Sequence, residues 1–173
     1  MAAHVQIPSV EQLIDFIGRE VALTDWRAIT QQEVNDFARV TRDPDWMHID
    51  QERARTGPLG HTIVQGFFTL SLLTHFSHET HFFPPDIAYA FNYGLDRVRW
   101  VQPLKVGARV RNRTVLVEVQ NTGARRYIVK TRNTVEIENV ATPAMVADWL
   151  ALLQGIDPSR PAHEQSSWPG GAA

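Results

Sequence analysis

The stretch Thr62-Ile63-Val64-Gln65-Gly66-Phe67-Phe68-Thr69-Leu70-Ser71-Leu72-Leu73-Thr74-His75-Phe76-Ser77-His78-Glu79-Thr80 decides the fold of this chain. Ile63, Val64, Phe67, Phe68, Leu70, Leu72, Leu73 and Phe76 leave little of a helical surface polar, so the segment reads as a helix buried within the molecule. Such a helix needs a cover, and the cover follows it. After Pro84-Pro85 the hydrophobic period falls to about two, in segments at residues 87–101, 108–120, 125–138 and 143–152, broken by Gly107 and by Asn121-Thr122-Gly123. The last segment also suits a helix through Met145, Val146, Trp149, Leu150 and Leu153, and is read as a strand. A buried helix followed by antiparallel strands is an α+β arrangement, in which the sheet has to wrap around the helix.

Upstream, Ser9 and Gln12 form a capping-box pattern ahead of Leu13, Ile14, Phe16 and Ile17, with Gly18 as a stop, which predicts a short amphipathic cover helix within residues 1–29. Thr30 and Glu33 repeat the pattern, and Val34, Phe37, Ala38 and Val40 continue it at helical spacing. Pro44 restricts Asp43 to an extended or turn conformation, so this second helix ends there and a polar loop, Asp43-Pro44-Asp45-Trp46-Met47-His48-Ile49-Asp50, follows. Asp50 is placed to cap one short turn over residues 51–55 before the Gly57-Pro58-Leu59-Gly60 breaker. Residues 1–153 are expected as a single domain. Residues 154–173, rich in Gly, Pro and Ser, offer little apolar surface and are expected as a disordered tail.

Composition narrows the function. The 173 residues are 43% hydrophobic, enough for one core. Seventeen basic against 19 acidic side chains, a net charge of −2, give no electrostatic footprint for nucleic acid or for an anionic membrane surface. The chain has no cysteine, hence no disulfide, thiolate metal site or cysteine nucleophile, which fits a reducing cytoplasm. No stretch approaches the roughly 20 apolar residues of a membrane span, and the first residues lack a secretory pattern.

Several residues have a chemical and a structural reading. Asp43 and His48 could share a water, one taking its proton while the other supplies a proton to carbon; on spacing alone the commoner case is that Asp43 caps a turn and His48 is an ordinary loop histidine. Gly66, near the start of the central helix, could offer its N–H to a developing oxyanion, or could simply permit close packing. Trp46, Phe67 and Phe68 could line a channel for an apolar ligand, or belong to the core. Arg97 and Arg99, two apart on a strand, share one face and could meet phosphate groups, or be a solvated strand face. His61, His75, His78 and His81, with Glu79, lack a complete ligand motif and their steps drift around the helix, so no metal is expected.

The order and spacing of these residues resemble the signature of MaoC-like dehydratases and R-specific enoyl-CoA hydratases. That pattern runs from an approach helix into Asp-x-Asn-Pro-x-His-x-Asp, then a glycine-rich break, then Ile-x-His-Gly-Met and a Ser-Leu pair. Here it reads Asp43-Pro44-Asp45-Trp46-Met47-His48-Ile49-Asp50, then Gly57-Pro58-Leu59-Gly60, then Ile63-Val64-Gln65-Gly66-Phe67 and Ser71-Leu72. The chain departs from it at Asp45 for Asn, Trp46 for Pro and Gln65 for His. The resemblance covers roughly residues 30–150 and implies a hot-dog fold, an antiparallel sheet wrapped around a long central helix. It implies a hydro-lyase that reversibly hydrates trans-2-enoyl-CoA to (R)-3-hydroxyacyl-CoA, with Asp43 and His48 as the catalytic dyad and the Gly66 amide polarising the thioester carbonyl. Trp46, Gln65 and Phe67 are then expected on the substrate side, with Arg97 and Arg99 toward the CoA phosphates. It further implies a homodimer and no cofactor, CoA being part of the substrate. The alternatives are a hot-dog thioesterase, against which the Asp43-to-His48 loop argues, and a non-catalytic acyl-thioester-binding subunit.

Overall fold

The computed structural model describes residues 2–159. The elements run β1 (Ala3–His4), a 3-10 helix (Val10–Phe16), β2 (Glu20–Leu23), β3 (Arg27–Ala28), α1 (Gln31–Thr41), α2 (Trp46–Ile49), α3 (Gln51–Thr56), α4 (Gly66–Thr80), β4 (Ile87–Trp100), β5 (Arg109–Gly123), β6 (Arg126–Ile137) and β7 (Val140–Gly155). All strands pair antiparallel in one seven-stranded sheet of order β1-β2-β5-β6-β7-β4, with β3 also on β5. This is the expected α+β hot-dog arrangement. The segment at 143–152, ambiguous by pattern, is a strand and extends in both directions.

Local chemistry places the helices. At α1 the capping box forms in full: Thr30 Oγ1 accepts from the Glu33 N–H while the Glu33 carboxylate accepts from the Thr30 N–H. Glu33 also pairs with Arg27. Burial works to raise the Glu33 carboxyl, but Thr30 and Arg27 outweigh it and hold the group below its ordinary range. The helix ends on Arg42 in the left-handed region (φ 59°), and both Arg42 and Asp43 donate their N–H to Ala38 O. The first expected helix is different. Ser9 makes no side-chain cap bond, because the Gln12 N–H donates to Ser9 O (3.1 Å); the result, with Asp86 Oδ1 accepting from the Val10 N–H (2.9 Å), is a 3-10 helix that buries Val10 and Leu13 but exposes Ile14.

The central helix starts later than its composition suggests. Residues 62–65 are extended because they pair elsewhere: Val64 donates to Leu104 O (2.8 Å), Val106 donates to Thr62 O (3.1 Å) and Ile63 bridges Lys105. Nor is α4 buried all round. Thr69, Leu72, Leu73, Phe76 and Thr80 face the sheet, whereas Phe67 is 68% exposed, since the sheet covers only one side.

The core lies in two apolar clusters. One joins Val34, Leu72, Leu73 and Phe76 to Val110, Val135 and Met145; the other joins Val10, Leu13, Val21 and Phe82 to Leu116, Val129 and Leu153. Buried polar side chains are also present on β5 and β6, where Asn112 Nδ2 donates to Asn133 Oδ1 (2.9 Å) and Asn133 Nδ2 to Thr131 Oγ1 (3.0 Å).

Two boundaries shift. The β5–β6 turn is Ala124–Arg125, both at positive φ, rather than Asn121-Thr122-Gly123, which continues the strand. The expected start of the tail at residue 154 falls inside β7: Gly155 is buried and paired with Ile87, and Ile156 donates to Asp86 O (2.8 Å). The remainder of the expected tail, residues 160–173, lies outside the described residues.

Candidate active site

The segment after Asp43 is not a plain loop. Asp45 Oδ1 accepts from the Met47 N–H (3.1 Å) and starts the turn α2, and Asp50 Oδ1 accepts from the Arg53 N–H (3.0 Å) and starts α3 as expected. His48 therefore projects from a helical turn. Its Nδ1 lies 2.7 Å from Ile63 O. A carbonyl only accepts, so Nδ1 carries the hydrogen and the neutral ring presents a lone pair at Nε2.

Ile63 precedes α4 by three residues, which brings the start of that helix to the imidazole. His48, Ile63, Gly66, Trp100, Leu104 and Ala144 are among the residues lining one cleft of about 290 Å³. Gly66 is the first residue of α4, and Gln65 gives the helix no side-chain cap. The first-turn amides thus have no partner within the helix and form a site for negative charge. The structure brings the His48 imidazole and the start of α4 at Gly66 into the same cleft.

The packing reading of Gly66 has support of its own. A Cβ at 66 would lie 2.9 Å from Cε2 and Nε1 of Trp100, and Trp100 Nε1 donates to Gly66 O (2.7 Å). Trp100 is a residue that sequence reasoning missed. Alternation with Arg97 and Arg99 puts it on the opposite strand face, but nothing local to it signals a contact 34 residues away.

Asp43 is half-buried where α1 ends, and it is not among the residues lining the cleft of His48 and Gly66. Trp46 stands away from that cleft: its ring lies under the Arg53 guanidinium (4.5 Å) and against Gly57, where any Cβ would be 3.3 Å from it. Gln65 is 2% exposed, and its Nε2 donates to Val34 O (3.1 Å), which ties α1 to α4. Phe67 packs edge-on to Trp100 at 5.4 Å beside the cleft, while Phe68 stacks on Phe37 at 5.2 Å and joins the two helices.

Arg97 and Arg99 do share a face of β4, but it is the face opposite Val98 and Trp100, away from the cleft. There Arg97 adds to the positive field around Asp148. That carboxyl is held below its ordinary range chiefly by hydrogen bonds from Arg132, at 2.8 and 3.0 Å. Of the histidines on and just after α4, His75 lies 3.6 Å from Glu79, and His78 and His81 border a separate groove. Among the described residues no group of three or more His, Asp or Glu could hold a metal.

Residues 13–140 match the MaoC like domain. The 3-hydroxyacyl-thioester dehydratase Z of Mycobacterium tuberculosis is 44% identical over 140 residues, covering 81% of this chain and 92% of that protein. Among solved structures, the monoamine oxidase regulatory protein from Archaeoglobus fulgius superposes with a TM-score of 0.72 at 21% identity, covering 90% of this chain and all of that one. The (R)-hydratase from A. caviae involved in PHA biosynthesis superposes at 0.65 with 16% identity, covering 78% and 94%. These two structures share the fold.

Proposed function

Because this chain belongs to the MaoC-like dehydratase family, we propose that it is a hydro-lyase that adds water across the double bond of a trans-2-enoyl thioester. The product is the (R)-3-hydroxyacyl thioester, and the reverse dehydration runs in the same site. One observation carries the reading: His48, with Nε2 free to take a proton, and the uncapped start of α4 at Gly66 line a single cleft. The name of the mycobacterial relative, a 3-hydroxyacyl-thioester dehydratase, supports the same chemistry.

In the proposed mechanism the thioester carbonyl accepts from the Gly66 N–H, which draws electron density from the β-carbon and stabilises the enolate as it forms. Water attacks that carbon while His48 and Asp43 manage its proton and the one delivered to the α-carbon. Asp43, five residues upstream on the same segment, is assigned by the resemblance of that segment to the family's pattern. CoA, as part of the substrate, is the carrier in this proposal, and no separate cofactor is invoked. We further propose a homodimer in the cytoplasm. β4 is an edge strand, and Phe91, Tyr93 and Leu95 on it are exposed, a length of apolar edge that a second copy would cover. Among the described residues no helix is long and apolar enough to cross a membrane.

The test is incubation with crotonyl-CoA. Loss of the conjugated enoyl absorbance supports hydration; release of free CoA would instead indicate a thioesterase, and neither change a binding subunit. His48→Ala and Asp43→Asn are each expected to lower the hydration rate by roughly two to four orders of magnitude with the fold intact. Near-normal turnover in either purified variant would remove that residue from the mechanism.

A further inference from the structure

The side-chain amide of Gln31 makes three hydrogen bonds at once. Its Nε2 donates to Asn35 Oδ1 (2.9 Å) and to the backbone carbonyl of His48 (2.7 Å), and its Oε1 accepts from Thr62 Oγ1 (2.7 Å). The amide orientation follows from the partners. The His48 carbonyl can only accept, so Nε2 must face it, which leaves Oε1 for the Thr62 hydroxyl. Ile63, next to Thr62, donates its N–H to Met47 O (3.0 Å) and receives His48 Nδ1 on its own carbonyl. Gln31, His48, Ile63 and Thr62 thus close a ring around the imidazole.

The ring ties the turn that carries His48 to α1 and to residues 62 and 63. α2 is four residues long and none of them is fully buried, so these polar bonds add to the packing of Trp46 on Arg53 and Gly57. Gln31 sits in the first turn of α1, the helix whose start is held by the complete capping box. We propose that Gln31 is a positioning residue for His48. Its amide joins the turn carrying His48 to the strand segment that receives Nδ1–H, and so maintains the tautomer that leaves Nε2 able to accept a proton. The inference rests on His48 being a proton carrier of the proposed hydration, but the tautomer itself can be measured without substrate.

The experiment uses the full chain labelled with ¹⁵N at the histidine rings, with the His48 signals identified by their loss in His48→Gln. The wild type should show His48 protonated at Nδ1 when neutral. Gln31→Met keeps the length of the side chain and removes all three bonds; Thr62→Val keeps the shape of its side chain and removes one. Both should move the His48 signals toward the Nε2-protonated form that free imidazoles favour. Both should also lower kcat on crotonyl-CoA by about tenfold with KM nearly unchanged, as when the support of a catalytic group is lost. Thr62→Ser, which retains the hydroxyl, should restore both readouts. An unaltered Nδ1–H pattern in a folded Gln31→Met or Thr62→Val protein overturns the assignment, whatever its rate. Should Gln31→Met fail to fold, Thr62→Val alone decides. A wild type inactive on crotonyl-CoA would count against the hydratase reading, and the nitrogen signals would still decide the ring.

Discussion

An added methyl at Gly66 would sit 2.9 Å from the Trp100 indole, so Gly66→Ala tests packing and chemistry together unless the indole is removed as well. The single variant is expected to lose about 10²-fold or more in kcat, comparable to loss of an oxyanion donor. The informative comparison is Gly66→Ala/Trp100→Ala against Trp100→Ala, in which no indole remains to clash. If the Gly66 N–H meets the enolate oxygen, the methyl still obstructs the carbonyl and the double variant stays slow. Recovery to the rate of Trp100→Ala would assign the whole loss to packing. The sequence shows only a glycine at position 66, open to both readings. It does not show what stands opposite.

At the scale of elements, the β5–β6 hairpin turns on Ala124 (φ 51°) and Arg125 (φ 56°), two non-glycine residues in the left-handed region. Tertiary contacts hold the second: Arg125 pairs with Glu11 and with Asp86 Oδ2 (2.8 Å), and the Gly155 N–H donates to Arg125 O (2.8 Å). Ala124 is exposed, with no side-chain interaction to offset its backbone conformation. Ala124→Gly should therefore stabilise the protein by roughly 0.5–1 kcal/mol, even though glycine loosens the unfolded chain. Thermal unfolding should record a rise in Tm of about 1–4 °C. An unchanged or lower Tm would show that the turn holds no such strain. The α1 capping box was legible because every group it uses lies within four residues. At Ser9 the same pattern did not form: the Gln12 N–H closes a 3-10 turn on Ser9 O (3.1 Å) and the Ser9 hydroxyl donates to Gln12 Oε1 (3.3 Å) instead.

Across the whole molecule, paired charges on the sheet predict how stability responds to acid. Hydrogen bonds from Arg132 hold Asp148 below its ordinary range, with Arg97 and Lys130 contributing by charge. For Glu136 burial acts to raise the value, but Arg113 and Arg111 outweigh it and the net shift is downward. Carboxyls depressed in the folded state contribute stability that is complete above their unfolded value of about 4 and is lost as the pH falls through their folded values. Arg132→Met leaves Asp148, 8% exposed, without its main partner. Its stability deficit relative to wild type should be largest near neutral pH and shrink below about pH 4 as Asp148 becomes protonated. Urea unfolding of both proteins from about pH 6 down to about pH 3 checks this, and a deficit that does not vary with pH would exclude linkage through Asp148.

By itself the sequence determined the classes of element and their order: an apolar helix that needs a cover, alternating segments able to supply one, a capped α1, and a spaced run from Asp43 to Gly66 that resembles one enzyme family. These are signals of period and of neighbours a few residues apart, which the chain carries locally. Only the tertiary structure decided that α4 begins at Gly66, because residues 62–65 are drawn into pairing with 104–106. It also decided that Trp46 packs on Arg53 and Gly57, that Gln65 turns inward, and that Arg97 and Arg99 face away from the cleft. The ring around His48 depends on Gln31 and Thr62, 31 residues apart, and the contact on Gly66 depends on the register that carries Trp100 to the helix start. Such contacts were not legible because sheet register and helix placement settle by burial summed over the whole chain, and no local window of sequence contains that sum.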